Sequence, residues 1–94
     1  MSERVARRLV IRGTVQGVWF RESMRIEADR MGITGWVRNR LDGSVEALVE
    51  GAPDAIEAIV RWAHRGPEAA LVTSVEQAAA NPENLARFEK RPTG

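Results

Sequence analysis

Residues 9–21, LVIRGTVQGVWFR, combine an apolar run, a glycine-bracketed loop and the first turn of a helical pattern. The apolar run 9–11, followed by Gly13, is typical of a central strand. Gly17 permits backbone conformations that turn successive N–H groups toward one point. Helical spacing starts at Phe20, so the loop precedes a helix N-terminus with unpaired N–H donors. The stretch therefore predicts a strand–loop–helix unit that can bind a small anion.

Arg21 closes this stretch where the helical spacing begins. Its guanidinium carries a permanent charge and forked donors, which suit it to phosphate beside a helix N-terminus. The loop lacks the Gly-Lys-Ser/Thr ending of a nucleotide P-loop, which excludes that class of site. From the residues alone, the stretch is predicted to be an anion-binding loop, and this loop contains one arginine.

The rest of the chain shows clear boundaries between predicted helices and strands. Helical spacing ends at Gly32 and again at Gly66-Pro67, and Asp42-Gly43 is a hairpin signal. After the last strand, residues 91–94 are expected to trail off. In chain order, the predicted elements are strand 9–11, helix 20–31, strand 33–39, strand 45–49, helix 53–65, strand 71–75 and a possible strand 85–90.

This order predicts an α+β fold of the ferredoxin-like split βαβ type (βαββαβ), with two helices on one face of an antiparallel sheet. The chain of 94 residues is expected to form a single domain over 1–94. In such a unit the first and third strands are neighbours, so the 13–21 loop meets the end of the second strand. Many functions use this fold, so it does not by itself name one.

Composition excludes several classes of protein. The formal net charge of +1 gives no reason to expect nucleic acid or a membrane as a main partner. The absence of cysteine excludes thiol nucleophiles, disulfides and thiolate metal sites. No apolar run approaches the roughly 18 residues of a membrane span. The N-terminal segment lacks the apolar region of a signal peptide, so we expect a cytoplasmic protein.

Asn39 lies at the end of the predicted second strand, on the face shared by Gly35 and Val37. Its amide could satisfy backbone groups near the hairpin. Alternatively, it could hold a water against whatever the 13–21 loop binds. Position alone leaves both interpretations open.

Two motifs in the chain resemble a known family. GTVQGVWFR at 13–21 resembles the first signature of the acylphosphatases, and GWVRN at 35–39, continuing through DGSVE at 42–46, resembles the second. Gly66-Pro67 and FEKRP at 88–92 also lie where members have similar residues. The resemblance covers essentially the whole chain. It implies an enzyme that hydrolyses the carboxyl–phosphate bond of small acyl phosphates without a metal or other cofactor.

The resemblance also implies roles for individual residues. Asn39 would orient the attacking water, and Trp19 would shape the acyl side of the site. Lys90 stands where an apolar residue is more usual, which leaves the pairing of the last strand open. We expect a monomer whose product, inorganic phosphate, inhibits competitively. The implied phosphate ligands are Arg21 and the backbone amides of Gln16, Gly17, Val18, Trp19 and Phe20.

The chemistry needs few functional groups. The leaving group is a carboxylate, whose conjugate acid has a pKa of about 4, so it departs at neutral pH without a general acid. Positioning of water and stabilisation of charge on the phosphoryl oxygens can do most of the work. The alternative is a non-catalytic anion-binding or regulatory module on the same fold. The presence of both Arg21 and Asn39 favours the enzyme.

Other polar residues receive structural interpretations. His64 suits the C-terminal end of its helix, and Ser23 is expected to be a helix-surface hydroxyl. Glu22 would repel phosphate if it faced the loop, so we expect it to point away. Asp42 is explained by its turn with Gly43 rather than by a metal site.

Overall fold

The computed structural model describes residues 3–94. Residues 1–2, the start of the segment considered as a signal peptide, lie outside the described residues. No helix within 3–94 is long and apolar enough to cross a bilayer. In chain order, the elements are β1 (Val5–Thr14), α1 (Phe20–Arg30), β2 (Thr34–Asn39), β3 (Val45–Gly51), α2 (Pro53–Arg65), β4 (Leu71–Ala80) and β5 (Phe88–Lys90).

The strands form one sheet in the order β4-β1-β3-β2-β5. β1 pairs antiparallel with β3 and β4, and β2 pairs antiparallel with β3. β5 pairs parallel to β2, so the sheet is mixed and the prediction of an antiparallel sheet was wrong at this edge. The cause is the connection after β4, which brings the chain back to run beside β2 in the same direction. The ferredoxin-like α+β fold is otherwise confirmed.

Both helices cover the same face of the sheet and share one apolar core. α1 packs on β2 and β5, and α2 packs on β1, β3 and β4. Alternate strand residues such as Leu9 and Val37 are fully buried in this layer, as their period of two requires. Phe20 of α1 lies 5.3 Å from Trp62 of α2, measured between ring centroids, and joins the two helices.

The strands differ in length from their predicted bounds. β1 begins at Val5 and β4 continues to Ala80, while β5 begins only at Phe88. In β1, Arg8 is charged but faces the other side of the sheet, where it pairs with Glu46. In β4 the side chains are mostly exposed, and backbone pairing with β1 extends the strand beyond its apolar pattern.

The face opposite the helices is closed by charged side chains. Glu46 is 3% exposed and binds Arg8 and Arg38 on the neighbouring strands. Burial acts to raise the pKa of Glu46, but hydrogen bonds from Arg38 and Arg8 outweigh it and lower the pKa. The guanidinium of Arg38 also lies 5.3 Å from the Trp36 ring centroid.

A buried carboxylate anchors the connection between β4 and β5. Glu50 is fully buried on β3 and accepts hydrogen bonds from the backbone N–H groups of Glu83, Asn84 and Leu85. Its Oε1 lies 3.1 Å from the Asn84 nitrogen. These hydrogen bonds hold the connection against the sheet, so that β5 lies beside β2.

Gly35 provides a test of the close packing between β2 and β3. It adopts φ 138°, and a Cβ there would lie 1.9 Å from the Leu48 carbonyl oxygen. Gly43 also has a positive φ, 92°, but a Cβ there meets no atom within 4 Å. We expect Gly35→Ala to lower the free energy of unfolding by about 3 kcal/mol or more, against about 1 kcal/mol for Gly43→Ala. Urea unfolding of both variants measures this, and equal losses would contradict the role of close approach.

Candidate active site

The loop between β1 and α1 has unusual backbone geometry at two positions. Gly17 has φ 75° and Trp19 has φ 66°, both in the left-handed region. Val15 and Phe20 are each 1% exposed, so the core holds both ends of the loop. Trp19 is the N-cap residue of α1, and no side chain caps this helix end. The first N–H groups of α1 are therefore available to a ligand.

Gln16 ties the loop to the turn between β2 and β3. Its side-chain nitrogen donates to the carbonyl oxygens of Arg40, at 2.8 Å, and Ser44, at 2.9 Å. The turn itself is built on Asp42, whose Oδ1 accepts hydrogen bonds from the N–H and the hydroxyl of Ser44. The predicted turn role of Asp42 is confirmed, and so is the meeting of the loop with the end of β2.

Asn39 is held by backbone on both sides. It is the last residue of β2 and pairs with Val45 of β3. Its carbonyl oxygen accepts a hydrogen bond from the N–H of Gly94 at 3.1 Å, and the Val37 carbonyl accepts one from Arg91 at 2.8 Å. The expectation that residues 91–94 trail off was therefore wrong, because they continue along β2 beyond β5.

A cavity of about 320 Å³ lies where the loop, α1 and the end of β2 meet. It brings together Arg21 and Asn39, which come from different elements. Of the predicted loop ligands, Gln16 and Val18 do not line it. The side chain of Gln16 reaches the turn, and that of Val18 packs against the core. The lining residues are Val15, Gly17, Trp19, Phe20, Arg21, Glu22, Asn39 and Lys90.

Two polar groups of the cavity are left without partners inside the described part of the chain. No acidic side chain of residues 3–94 forms an ion pair with Arg21. Within the same residues, the side-chain oxygen of Asn39 is buried and accepts no hydrogen bond. Within residues 3–94, a cation without an ionic partner in the cavity wall suits an anionic ligand, and Asn39 of the same wall has an unused hydrogen-bond acceptor.

Glu22 lies in the cavity wall, so the expectation that it points away was wrong. Its carboxylate binds Arg25 at 2.6 Å and Lys90 at 2.9 Å. The hydrogen bonds from Arg25, followed by those from Lys90, lower the pKa of Glu22 to about 2. Sequence reasoning gave neither Glu22 nor Lys90 a role in the site. The available signal was Lys90 itself, the single lysine beside thirteen arginines.

Other candidate groups take no part in this cavity. His64 binds the Val60 carbonyl of its own helix through Nδ1, at 3.0 Å. Among residues 3–94, no three His, Cys, Asp or Glu side chains are grouped closely enough to hold a metal ion.

Comparison with known proteins identifies the family. The sequence profile of the acylphosphatases matches residues 7–90. The chain belongs to the acylphosphatase family. An acylphosphatase of Thiobacillus denitrificans is 57% identical over 83 residues, covering 88% of this chain and 92% of the relative. One of Azoarcus sp. is 53% identical over 92 residues, covering 98% and 94%.

The fold agrees with a solved acylphosphatase. The structure of an acylphosphatase from Coxiella burnetii superimposes with a TM-score of 0.90 at 35% identity, covering 94% of this chain and 93% of that one. The predicted family and its activity, hydrolysis of acyl phosphates to carboxylate and inorganic phosphate, are thereby confirmed. The alternative of a non-catalytic module is not favoured.

The turn beside Asn39 should make the free energy of unfolding depend on pH in the acid range. Hydrogen bonds from the Ser44 hydroxyl and N–H lower the pKa of Asp42 from 3.8 to about 2. A lowered pKa means that the ionised form favours the folded state, so its contribution is present above pH 4 and is lost toward pH 2. We expect that the free energy of unfolding of Asp42→Asn falls less between these pH values than that of the unmodified protein. Urea unfolding at stepped pH measures this.

Ser44→Ala is the matched control for this prediction. It removes the hydroxyl donor but keeps the carboxylate, so the acid-dependent loss should become smaller without disappearing. A slope in Asp42→Asn identical to that of the unmodified protein would contradict the role of Asp42.

Proposed function

We propose that this cavity is the hydrolytic site, in which Arg21 and loop N–H groups hold the phosphate and Asn39 orients the attacking water. The observation that carries the proposal is that Arg21 and Asn39 line the same cavity. The phosphate ligands proposed besides Arg21 are the backbone amides of Gln16, Gly17, Val18, Trp19 and Phe20.

Arg21 supplies the charge that the phosphate needs. Its guanidinium can donate two parallel hydrogen bonds to phosphoryl oxygens. It is the second residue of α1, so the unpaired N–H groups and positive end of the helix dipole lie beside it. These donors are in place before the substrate arrives. They stabilise the charge on the phosphoryl oxygens as the bond to the acyl group lengthens.

Asn39 positions the nucleophile, which is the attacking water. Its side-chain amide belongs to the cavity wall and can hydrogen-bond a water, which would direct the water's lone pair at phosphorus. The backbone around it is held by Val45, by Gly94 and, through Arg40, by the side chain of Gln16. An amide cannot take the proton, which passes to the phosphate product or to solvent.

The reaction balances with these groups alone. The water oxygen forms a bond to phosphorus, the bond between phosphorus and the carboxyl oxygen breaks, and its electron pair leaves with the carboxylate. Trp19 is 78% exposed at the edge of the cavity, where we place the acyl group. A monomeric state, a cytoplasmic location and competitive inhibition by phosphate belong to the same proposal.

Turnover without a metal is the first test. We expect the purified protein to release phosphate from benzoyl phosphate at the same rate before and after exhaustive dialysis against EDTA. The reason is that Arg21 and the helix end supply the positive charge, and a carboxylate leaves without assistance. Loss of activity in EDTA that returns with added Mg²⁺ would contradict the metal-independent mechanism.

Substitution of the two central residues is the second test. Arg21→Ala should lower kcat/KM by about 10²–10³-fold and weaken phosphate binding, because a charged donor to the phosphoryl group is lost. Asn39→Ala should lower kcat by about 10²-fold with KM little changed, because water positioning acts mainly in the transition state. Steady-state kinetics and calorimetric phosphate binding measure both effects.

Matched controls come from elsewhere on the surface. Arg65 at the end of α2 and Asn81 after β4 are exposed and lie outside the cavity. Arg65→Ala and Asn81→Ala should keep full activity, and circular dichroism should show native structure in all four variants. Full activity in folded Asn39→Ala would show that water orientation is assigned to the wrong residue.

A further inference from the structure

An ion pair that joins two elements forms part of the cavity wall. Glu22 is in the first turn of α1, and Lys90 is the last residue of β5. The Lys90 Nζ lies 2.9 Å from the Glu22 Oε1, and both residues line the cavity beside Arg21. This pair contributes two full charges to a space that we assign to a phosphate dianion.

The carboxylate of this pair acts against phosphate binding. Glu22 directly follows Arg21 in the sequence, and a negative charge there opposes both the guanidinium and the positive end of the helix dipole. Hydrogen bonds from Arg25 and Lys90 keep this carboxylate ionised, so the opposition does not disappear by protonation. A site for a dianion therefore needs a compensating charge.

Arg25 does not provide that compensation by itself. It binds Glu22 through one nitrogen at 2.6 Å and Asp29 through another at 2.9 Å. Its single positive charge thus faces two carboxylates. Glu22 and Lys90 line the cavity, whereas Arg25 and Asp29 do not, so Lys90 is the cation that offsets the charge of Glu22 at the cavity itself.

Lys90 also has donors beyond this contact. An ammonium group carries three N–H bonds, and the salt bridge to Glu22 uses one of them. The side chain is 46% exposed in the cavity wall. Lysine at this position therefore presents charge to the cavity as well as to Glu22.

We propose that Lys90 is an affinity-determining residue, whose charge offsets Glu22 and thereby sets how tightly the cavity binds the phosphate dianion. The inference rests on the proposed phosphate site of Arg21. It assigns Lys90 to binding of the phosphate group equally in the ground state and the transition state, with no part in the attack of water.

A double-mutant cycle tests the charge balance. Lys90→Met should raise KM and the Kd for inorganic phosphate by about 3–10-fold, as expected for one unbalanced charge near a dianion. Its kcat should stay within about twofold, because the lost charge acts on binding. Lys90→Arg keeps the charge and should bind phosphate like the unmodified protein. Glu22→Gln combined with Lys90→Met restores neutrality, so its Kd should return close to the starting value.

A control charge lies on the same helix. Arg30 pairs with Glu27 near the C-terminal end of α1, eight residues from Glu22, which is about 12 Å along the axis. Arg30→Met changes the net charge as Lys90→Met does, yet at physiological salt this distance exceeds the Debye length of about 8 Å. Its Kd for phosphate should therefore remain unchanged. High salt should also reduce the difference between Lys90→Met and the unmodified protein.

Chemical modification gives an independent measurement, because Lys90 is the one lysine in the chain. Acetylation removes its charge and should reproduce the weaker phosphate binding of Lys90→Met. Reductive methylation keeps the charge and should leave binding unchanged. The Lys90→Met protein, treated in the same two ways, reports any effect of the N-terminal amine.

The outcomes separate this inference from the proposed function. An unchanged phosphate Kd in Lys90→Met, or a double variant that binds no better than Lys90→Met, overturns the inference. A structural role alone predicts the second result, since losing both partners cannot repair packing. If Arg21→Ala binds phosphate normally, the proposed site itself is wrong. Weak binding in Arg21→Ala with normal binding in Lys90→Met removes only the role of Lys90.

Discussion

The burial of Phe20 is the constraint on which the site depends. This ring is 1% exposed, and its centroid lies 5.3 Å from that of Trp62 across the two helices. A side chain at Gly66 would lie 2.7 Å from the Phe20 ring, so the end of α2 closes over it. Because Phe20 is also the first residue of α1, its packing determines where the helix begins. The left-handed conformation of Trp19 and the position of Arg21 follow from it.

Asn39 depends on contacts that converge from three directions. The β3 ladder, the Gln16 side chain and the segment after β5 all hold the backbone at or beside this residue. The segment after β5 is positioned by the connection between β4 and β5, which Glu50 anchors on the other face of the sheet. The water-orienting role that we propose for Asn39 requires a rigid amide, since small errors in alignment lower the rate. The buried carboxylate thus supports the site from a distance.

Local signals predicted the parts of the fold that local physics controls. Gly32 and the turn at Asp42 mark boundaries because backbone conformation and short hydrogen bonds act within a few residues. The bounds of β4 and β5 were predicted less well. β4 is an edge strand whose exposed side chains carry little apolar pattern, and β5 pairs in parallel with a strand far away in sequence. The bounds of such edge strands depend on the neighbouring strand with which they pair.

By itself, the sequence determined the order of elements, the loop with Arg21 and, through two motifs, the family. These properties depend on residue identity and spacing, which a sequence states directly. Only the tertiary structure decided that Glu22 faces the cavity and that Lys90 meets it there. Whether an acid repels a ligand or is neutralised depends on charges brought from other elements. Coulombic interactions act through space, and the separation of residues along the chain does not predict them.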